Sequence, residues 1–287
     1  MPLDPSRFLG RRYPDREFSY TERDTMLYAL SVGMAQDPTD RRELAFVCGP
    51  EPRVLRSQAT VIAWDYSFIE GSGIDEVMIL HGAQSVEIHN PLPPAATIVS
   101  EFRISDLFDK GPGKGAVIVA EIRIREKHSG TPLCTNLWTS YARGEGGFGG
   151  EKGPSAPKAN YPDRAPDAMI DTPTNRNQPL FYRLLGDVNP HHFDPDFARA
   201  AGFERPILHG NCTFGIACRS VVIATCDHRP ERLSRISCQF RAPGLPGDTV
   251  RTEIWREGGN VIFRAFSLES GAELIGNGLA SIGNAAV

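Results

Sequence analysis

Within six positions of a 287-residue chain lie an acid, an amide and two adjacent histidines: Asp187, Asn189, His191 and His192. Leu184 and Leu185 close an apolar helical pattern, Gly186 is a natural stop, and Pro190 prevents the backbone from continuing helically through Asn189. The spacing therefore predicts a turn. On an unbroken helix, side chains five positions apart point to different faces, whereas a turn can aim Asp187 and His192 into one pocket as a general acid/base pair. Thirteen residues beyond His192, Arg205-Pro206-Ile207-Leu208-His209-Gly210 leads into an apolar run. At Gly210, which has no side chain, a substrate carbonyl can approach the backbone N–H of a helix start, where the helix dipole also favours developing negative charge.

Each of these residues also has a plainer reading. Asp187 and Asn189 suit a helix-ending Asx turn that satisfies its own backbone. His192 alone would be a packed or surface histidine, and its pairing with an acid is what makes it a proton carrier near neutral pH. His191 reads as structural, and His209 reads as a residue that hydrogen-bonds and fixes its loop. His191, His192, Asp194, His209 and Cys212 could supply metal ligands, but their spacing matches no common zinc pattern. There is no GxSxG of a serine hydrolase. Gly144, Gly146 and Gly149 satisfy GxGxxG, but the Glu-Lys-Gly-Pro-Ser-Ala-Pro that follows cannot open the helix a dinucleotide site needs.

The run YRLLGDVNPHHFDP followed by GFERPILHGNCTFG resembles the hydratase motif of the MaoC-like, R-specific (type-2) enoyl-CoA hydratases. The resemblance implies an α+β hot-dog fold, a curved antiparallel sheet around a long helix. It implies a hydro-lyase that adds water to trans-2-enoyl-CoA thioesters without a cofactor, in fatty-acid or related acyl-CoA oxidation. By motif position it makes Asp187 and His192 the catalytic pair, with Asn189 orienting the site and the Gly210 N–H as oxyanion donor, while His209 keeps its supporting role in the loop. Leu185, His191, Phe193 and Asn211 depart from the usual motif, and none of them removes a catalytic group. An acyl-CoA thioesterase on the same scaffold and a non-catalytic acyl-thioester-binding subunit are the alternatives.

The rest of the chain reads as support. A helix is expected from Thr21, ending near residues 33–38, while residues 43–64 are ambiguous. Strands follow at 85–89, 97–104, 115–125 and 133–143. Residues 144–162 are Gly/Pro-rich and aperiodic, which predicts a linker. Beyond it the order recurs: a helix at 177–185, a central apolar helix at about 213–226, and strands after Ser237, a segment that mirrors the one after Ser85. Setting Tyr28-Ala29-Leu30 against Tyr182-Arg183-Leu184 places Gly33 and Ala35 opposite Asp187 and Asn189. The expectation is a tandem, double hot-dog: 1–143 non-catalytic and accommodating the acyl chain, 144–162 linking, and 163–287 catalytic.

A net charge of −4 and a pI near 6.0 argue against a nucleic-acid partner. No apolar run approaches membrane-spanning length, so no membrane partner is expected. The chain shows no signal-peptide core and no Ser-Lys-Leu ending. Six cysteines without a CxxC pair read as free thiols of a reducing compartment, by default the cytoplasm. A homodimer is expected.

Overall fold

The structure, a computed structural model, describes residues 3–11, 13–63, 68–69, 72–154 and 158–283. In the first half the chain runs through β1 (Arg16–Tyr20), α1 (Glu22–Ser31), α2 (Arg41–Leu44), β2 (Ile79–Ile88), β3 (Ala96–Asp109), β4 (Ala116–Glu126) and β5 (Pro132–Ala142). The second half gives β6 (Ala168–Pro173), α3 (Gln178–Tyr182), α4 (Pro195–Ala200), α5 (Gly210–Cys226), β7 (Leu233–Phe240), β8 (Thr249–Glu257), β9 (Asn260–Ser267) and β10 (Glu273–Ile282).

The ten strands form one sheet in the order β1-β3-β4-β5-β2-β7-β10-β9-β8-β6. It is two five-stranded halves of matching order joined where β2 pairs antiparallel with β7. In that junction Ser85 lies opposite Ser237, with Gln84 opposite Cys238 and Val86 opposite Ile236. The positions that mirror each other in sequence thus meet at the centre of the junction. Tyr28 of α1 and Tyr182 of α3, also equivalent by sequence, are fully buried with ring centroids 6.3 Å apart. This is the double hot-dog architecture.

The helix wrapped by the sheet is α5, extending three residues N-terminal of the predicted start at 213. Its apolar residues Phe214, Ile216, Ala217, Val221 and Val222 are buried at no more than 1 % exposure, and it packs against β7 to β10 and against β2. A helix buried on nearly every side needs no amphipathic stripe. The first half departs from a long central helix: among the described residues its counterpart is a single 3₁₀ segment, Arg56–Thr60, itself buried and packed on α5. Trp64, at the end of the ambiguous stretch, lies outside the described residues.

The sequence reading passed over β1 and β6. Both are short outermost strands, pairing on one side only with β3 and β8 respectively; β1 is exposed along all but its last residue, and β6, although its exposure alternates, is only six residues long and ends in Pro173. The Gly/Pro-rich stretch is irregular throughout its described part and opens no helix. It is nevertheless stitched to the sheet: the Asp109 carboxylate accepts the N–H groups of Gly147 and Gly149 at 2.8 and 2.7 Å, and the Asp109 N–H donates to Glu151. Gly146, with φ of 138°, sits where a Cβ would lie 2.7 Å from the carbonyls of Gly111 and Gly115, a close approach that excludes any side chain. The six cysteines are free, five of them buried. Among the described residues no helix is long and apolar enough to cross a membrane.

Candidate active site

After α3 a 3₁₀ turn, Arg183–Leu185, ends at Gly186, whose φ of 118° reverses the chain in the left-handed region. Asp187 follows, buried at 4 % exposure, and its Oδ1 accepts the Asn189 N–H at 3.3 Å. Pro190 opens one 3₁₀ turn, Pro190–His192, rather than extended chain. Asn189 caps that turn, accepting the His191 N–H at 3.1 Å and the His191 Nδ1–H at 2.7 Å. The Asx-turn role and the position in the cavity wall therefore coexist in Asp187 and Asn189.

The second segment reaches the same place through Leu208, whose N–H donates to Gly244 at 2.9 Å, and His209, which is wholly buried. A carbonyl can only accept, so the ring nitrogens facing one must carry the proton. His209 Nε2–H donates to the Asp187 carbonyl at 3.2 Å, and His192 Nδ1–H donates to the Ile207 carbonyl at 3.0 Å. The two rings stack with centroids 3.7 Å apart. This leaves the lone pair of His192 on Nε2. Asp187, His192 and His209 each offer an oxygen or nitrogen within 4.8 Å of the others.

Burial drives the charges of this pair in opposite directions, because it disfavours whichever form is ionised. The Asp187 carboxyl is pushed up to about 7, with the Asn189 N–H opposing, while His192 is pushed down to about 3, with the Ile207 carbonyl opposing. His209 is held well below its usual value, again mainly by burial. Near neutral pH both imidazoles are uncharged and Asp187 is close to half ionised. That poise suits proton transfer at neutral pH.

Asp187, Asn189, His192 and Gly210 line one cavity of about 180 Å³, and His81 and Trp138 from the first half line it too. Gly210 is the first residue of the 17-residue α5. The N–H groups of Cys212 and Thr213 both turn back to the His209 carbonyl at 3.1 Å, which leaves those of Gly210 and Asn211 as the helix-start donors with no acceptor in the helix. A Cβ on Gly210 would lie 3.4 Å from both His81 Nδ1 and the Phe240 ring, so a side chain there would fill the space in front of the donor.

Of the metal set weighed from sequence, Asp194 instead caps α4 by accepting from Asp196 and Phe197, and the Cys212 thiol faces the Ser31 carbonyl. In the compact trio of Asp187, His192 and His209, backbone carbonyls already occupy one nitrogen of each ring. A second trio, Asp40, Glu43 and His228, has Asp40 paired with Arg42 and Glu43 held by both its oxygens on Arg219. The sequence reading assigned the first half no residue here; its one signal was a histidine, His81, beside Gly82 inside an apolar strand.

The family model described as MaoC like domain matches residues 157–277, and that described as MFE-2 hydratase 2 N-terminal domain matches residues 18–144. The chain is 39% identical over 272 residues to an enoyl-CoA hydratase of Mycobacterium tuberculosis, covering 91% of this chain and 92% of the relative. It is 36% identical over 293 residues to a probable enoyl-CoA hydratase 2 of Dictyostelium discoideum, covering 98% and 97%. The chain belongs to the MaoC-like, type-2 enoyl-CoA hydratase family. The crystal structure of a MaoC-like dehydratase from Phytophthora capsici matches this MaoC-like chain with a TM-score of 0.86 at 28% identity, covering 99% of this chain and all of that one. Asp187, Asn189, His192, His209 and Gly210 lie in the MaoC-like part, and His81 and Trp138 in the hydratase 2 N-terminal part.

One consequence of burying Asp187 is measurable without substrate. The folded protein holds the Asp187 proton more tightly than the unfolded chain, whose carboxyl keeps the ordinary value of 3.8. The contribution of this group to stability therefore falls as pH rises from about 4 to about 7 and stays low above that. A shift of this size corresponds to at most about 4 kcal/mol. Asp187→Asn, which keeps an acceptor for the Asn189 N–H, should raise stability in urea at pH 8 by up to that amount, with the gain shrinking towards pH 4. A gain that is the same at both pH values would refute the buried carboxyl.

Proposed function

We propose that the chain is an (R)-specific 2-enoyl-CoA hydratase, a hydro-lyase that adds water to trans-2-enoyl-CoA thioesters and dehydrates 3-hydroxyacyl-CoA in the reverse direction. The observation that carries this reading is the opposed pair, Asp187 near neutrality and His192 held uncharged, facing the same cavity as the unoccupied N–H groups at the start of α5.

In this reading the thioester carbonyl oxygen accepts from the Gly210 N–H, which draws electron density from the conjugated double bond and leaves Cβ electrophilic. His192 Nε2 holds the water by accepting one of its protons in a hydrogen bond. The Asp187 carboxylate takes the other proton as the water oxygen bonds to Cβ and charge builds on the enolate oxygen. Asp187 then returns the proton to Cα as the enolate collapses. Asp187 is the better carrier because its pKa lies near working pH, whereas a histidine at about 3 is a weak base. No electrons are transferred, so the reaction calls for no redox cofactor. The free thiols fit a reducing compartment, and we place the enzyme in the cytoplasm.

Both groups come from one turn, so water and proton should reach the same face of the planar enoyl group, a syn addition, and the family likeness selects the (R)-3-hydroxyacyl product. The test is to follow the enoyl-thioester absorbance of a medium-chain enoyl-CoA. Its loss without release of free thiol is expected, and thiol release would mark a thioesterase. Offered next to a dehydrogenase specific for the (S) isomer, the product should give no NADH; rapid NADH formation would overturn the assignment of hand.

A further inference from the structure

Among the described residues, the first half contributes two side chains with polar atoms to the cavity, His81 and Trp138, and His81 is the one that carries an acceptor. It stands on β2 at an irregularity in register between His81 and Ala83, where the pairing with β5 slips by a residue. Its ring is wedged between Phe240, with centroids 4.5 Å apart, and Trp138, with centroids 5.5 Å apart. Nε2 lies 3.1 Å from the Ala83 carbonyl, so Nε2 carries the proton and Nδ1 carries a lone pair. That lone pair is the atom found 3.4 Å from the position of a Cβ on Gly210, on the wall of the same cavity. Burial pushes the ring down to about 3, with the Ala83 carbonyl and the Gln84 side chain opposing, so near neutral pH the ring is uncharged and Nδ1 is an acceptor.

An acceptor next to an oxyanion donor constrains what can lie against it. A carbonyl oxygen seated on the Gly210 N–H is repelled by the Nδ1 lone pair and must turn away from it. The α,β-unsaturated thioester group has no donor of its own. Moving out from the sulfur, the first donor the substrate offers is the amide N–H of the pantetheine arm, two methylenes away.

We propose that His81 is a substrate-binding residue whose Nδ1 accepts a hydrogen bond from the pantetheine amide nearest the sulfur, which sets the thioester so that its carbonyl falls on Gly210. The inference rests on the hydratase reading above. It gives the half without the acid/base pair a direct part in substrate recognition, contributed across the β2–β7 junction.

The experiment compares trans-2-enoyl-pantetheine with a counterpart in which that one amide is replaced by an ester, removing the N–H and little else. Wild type should bind the ester form about tenfold less well, read as KM, as expected for one lost hydrogen bond in a desolvated site. His81→Phe keeps a ring between Phe240 and Trp138 but has no acceptor, and it should show the same raised KM for both substrates. His81→Asn, which restores an acceptor, should recover part of the preference for the amide. Should His81→Phe fail to fold, His81→Leu takes its place in the same comparison. The proposal is overturned if the apolar variant keeps the wild-type preference, or if wild type hydrates both substrates with equal KM. Failure of wild type to consume the enoyl band of enoyl-CoA would instead bring down the hydratase reading itself.

Discussion

Asp187→Asn should lower kcat for hydration by about 10²–10⁴-fold, the usual effect of removing a proton-transferring group, and His192→Ala, which removes the acceptor that holds the water, should also lower it by orders of magnitude, each while the protein remains folded. The two substitutions act differently on the site. Asparagine at 187 still accepts the Asn189 N–H but can take no proton from water, so it removes the carrier and leaves the turn. Alanine at 192 removes both the Nε2 acceptor and the ring stacked on His209, so part of its effect is lost orientation. Combining them should reduce kcat little beyond the worse single variant, because residues that act on one water as a unit are not additive. The wild-type pH profile carries the same assignment. If ionised Asp187 is the base, the hydration rate should fall as pH drops below about 7, and this limb should be absent from the residual activity of Asp187→Asn. Retention of more than about half the activity by either single variant would remove that residue from the mechanism.

The parts of this fold that a sequence reading reaches are those where one short segment determines its own conformation. Gly186 and Pro190 force a turn whatever surrounds them, and the structure brings the Asp187 and His192 donor atoms within 4.8 Å of each other. The long strands β3, β4 and β5 announce themselves by alternation because one face of each is buried. The repeat was visible because Ser85 and Ser237 open equivalent segments, and those segments prove to be the two that pair.

What escaped the sequence is what depends on a partner far along the chain. β1 and β6 are strands only because β3 and β8 offer them an open edge; β1 is exposed along nearly its whole length, and β6 is too short for its alternation to announce a strand. The family resemblance implies a long central helix for each hot-dog half, yet α5 occupies the interior against both β2 and the strands of its own half, and a buried 3₁₀ segment of the first half stands against it. His81 reaches the cavity through a slip in register on β2 and through the β2–β7 junction, two features that no spacing in the first half encodes.

The same dependence between distant segments gives the largest expected effect on stability, at a buried ion pair that ties the halves together. Arg219, in the middle of α5, directs one terminal nitrogen to both oxygens of Glu43 on α2 at 2.9 Å and the other to the Thr172 hydroxyl on β6 at 3.3 Å. The two side chains are only 6 % and 12 % exposed. Glu43 Oε2 also accepts the Ala35 N–H at 2.6 Å. Glu43→Ala therefore leaves a guanidinium without its counter-charge inside the protein and a loop N–H without its acceptor. We expect it to lower stability by about 3–5 kcal/mol, a large share of the roughly 5–15 kcal/mol that holds a domain folded. Replacing both partners, as Glu43→Met with Arg219→Met, removes the stranded charge as well as the attraction, and most of the lost stability should return. Urea denaturation of the two single variants and the double variant measures the coupling. A single-variant loss within about 1 kcal/mol, the size of an exposed pair, would show that water reaches Arg219 and that this ion pair is not what holds the halves together.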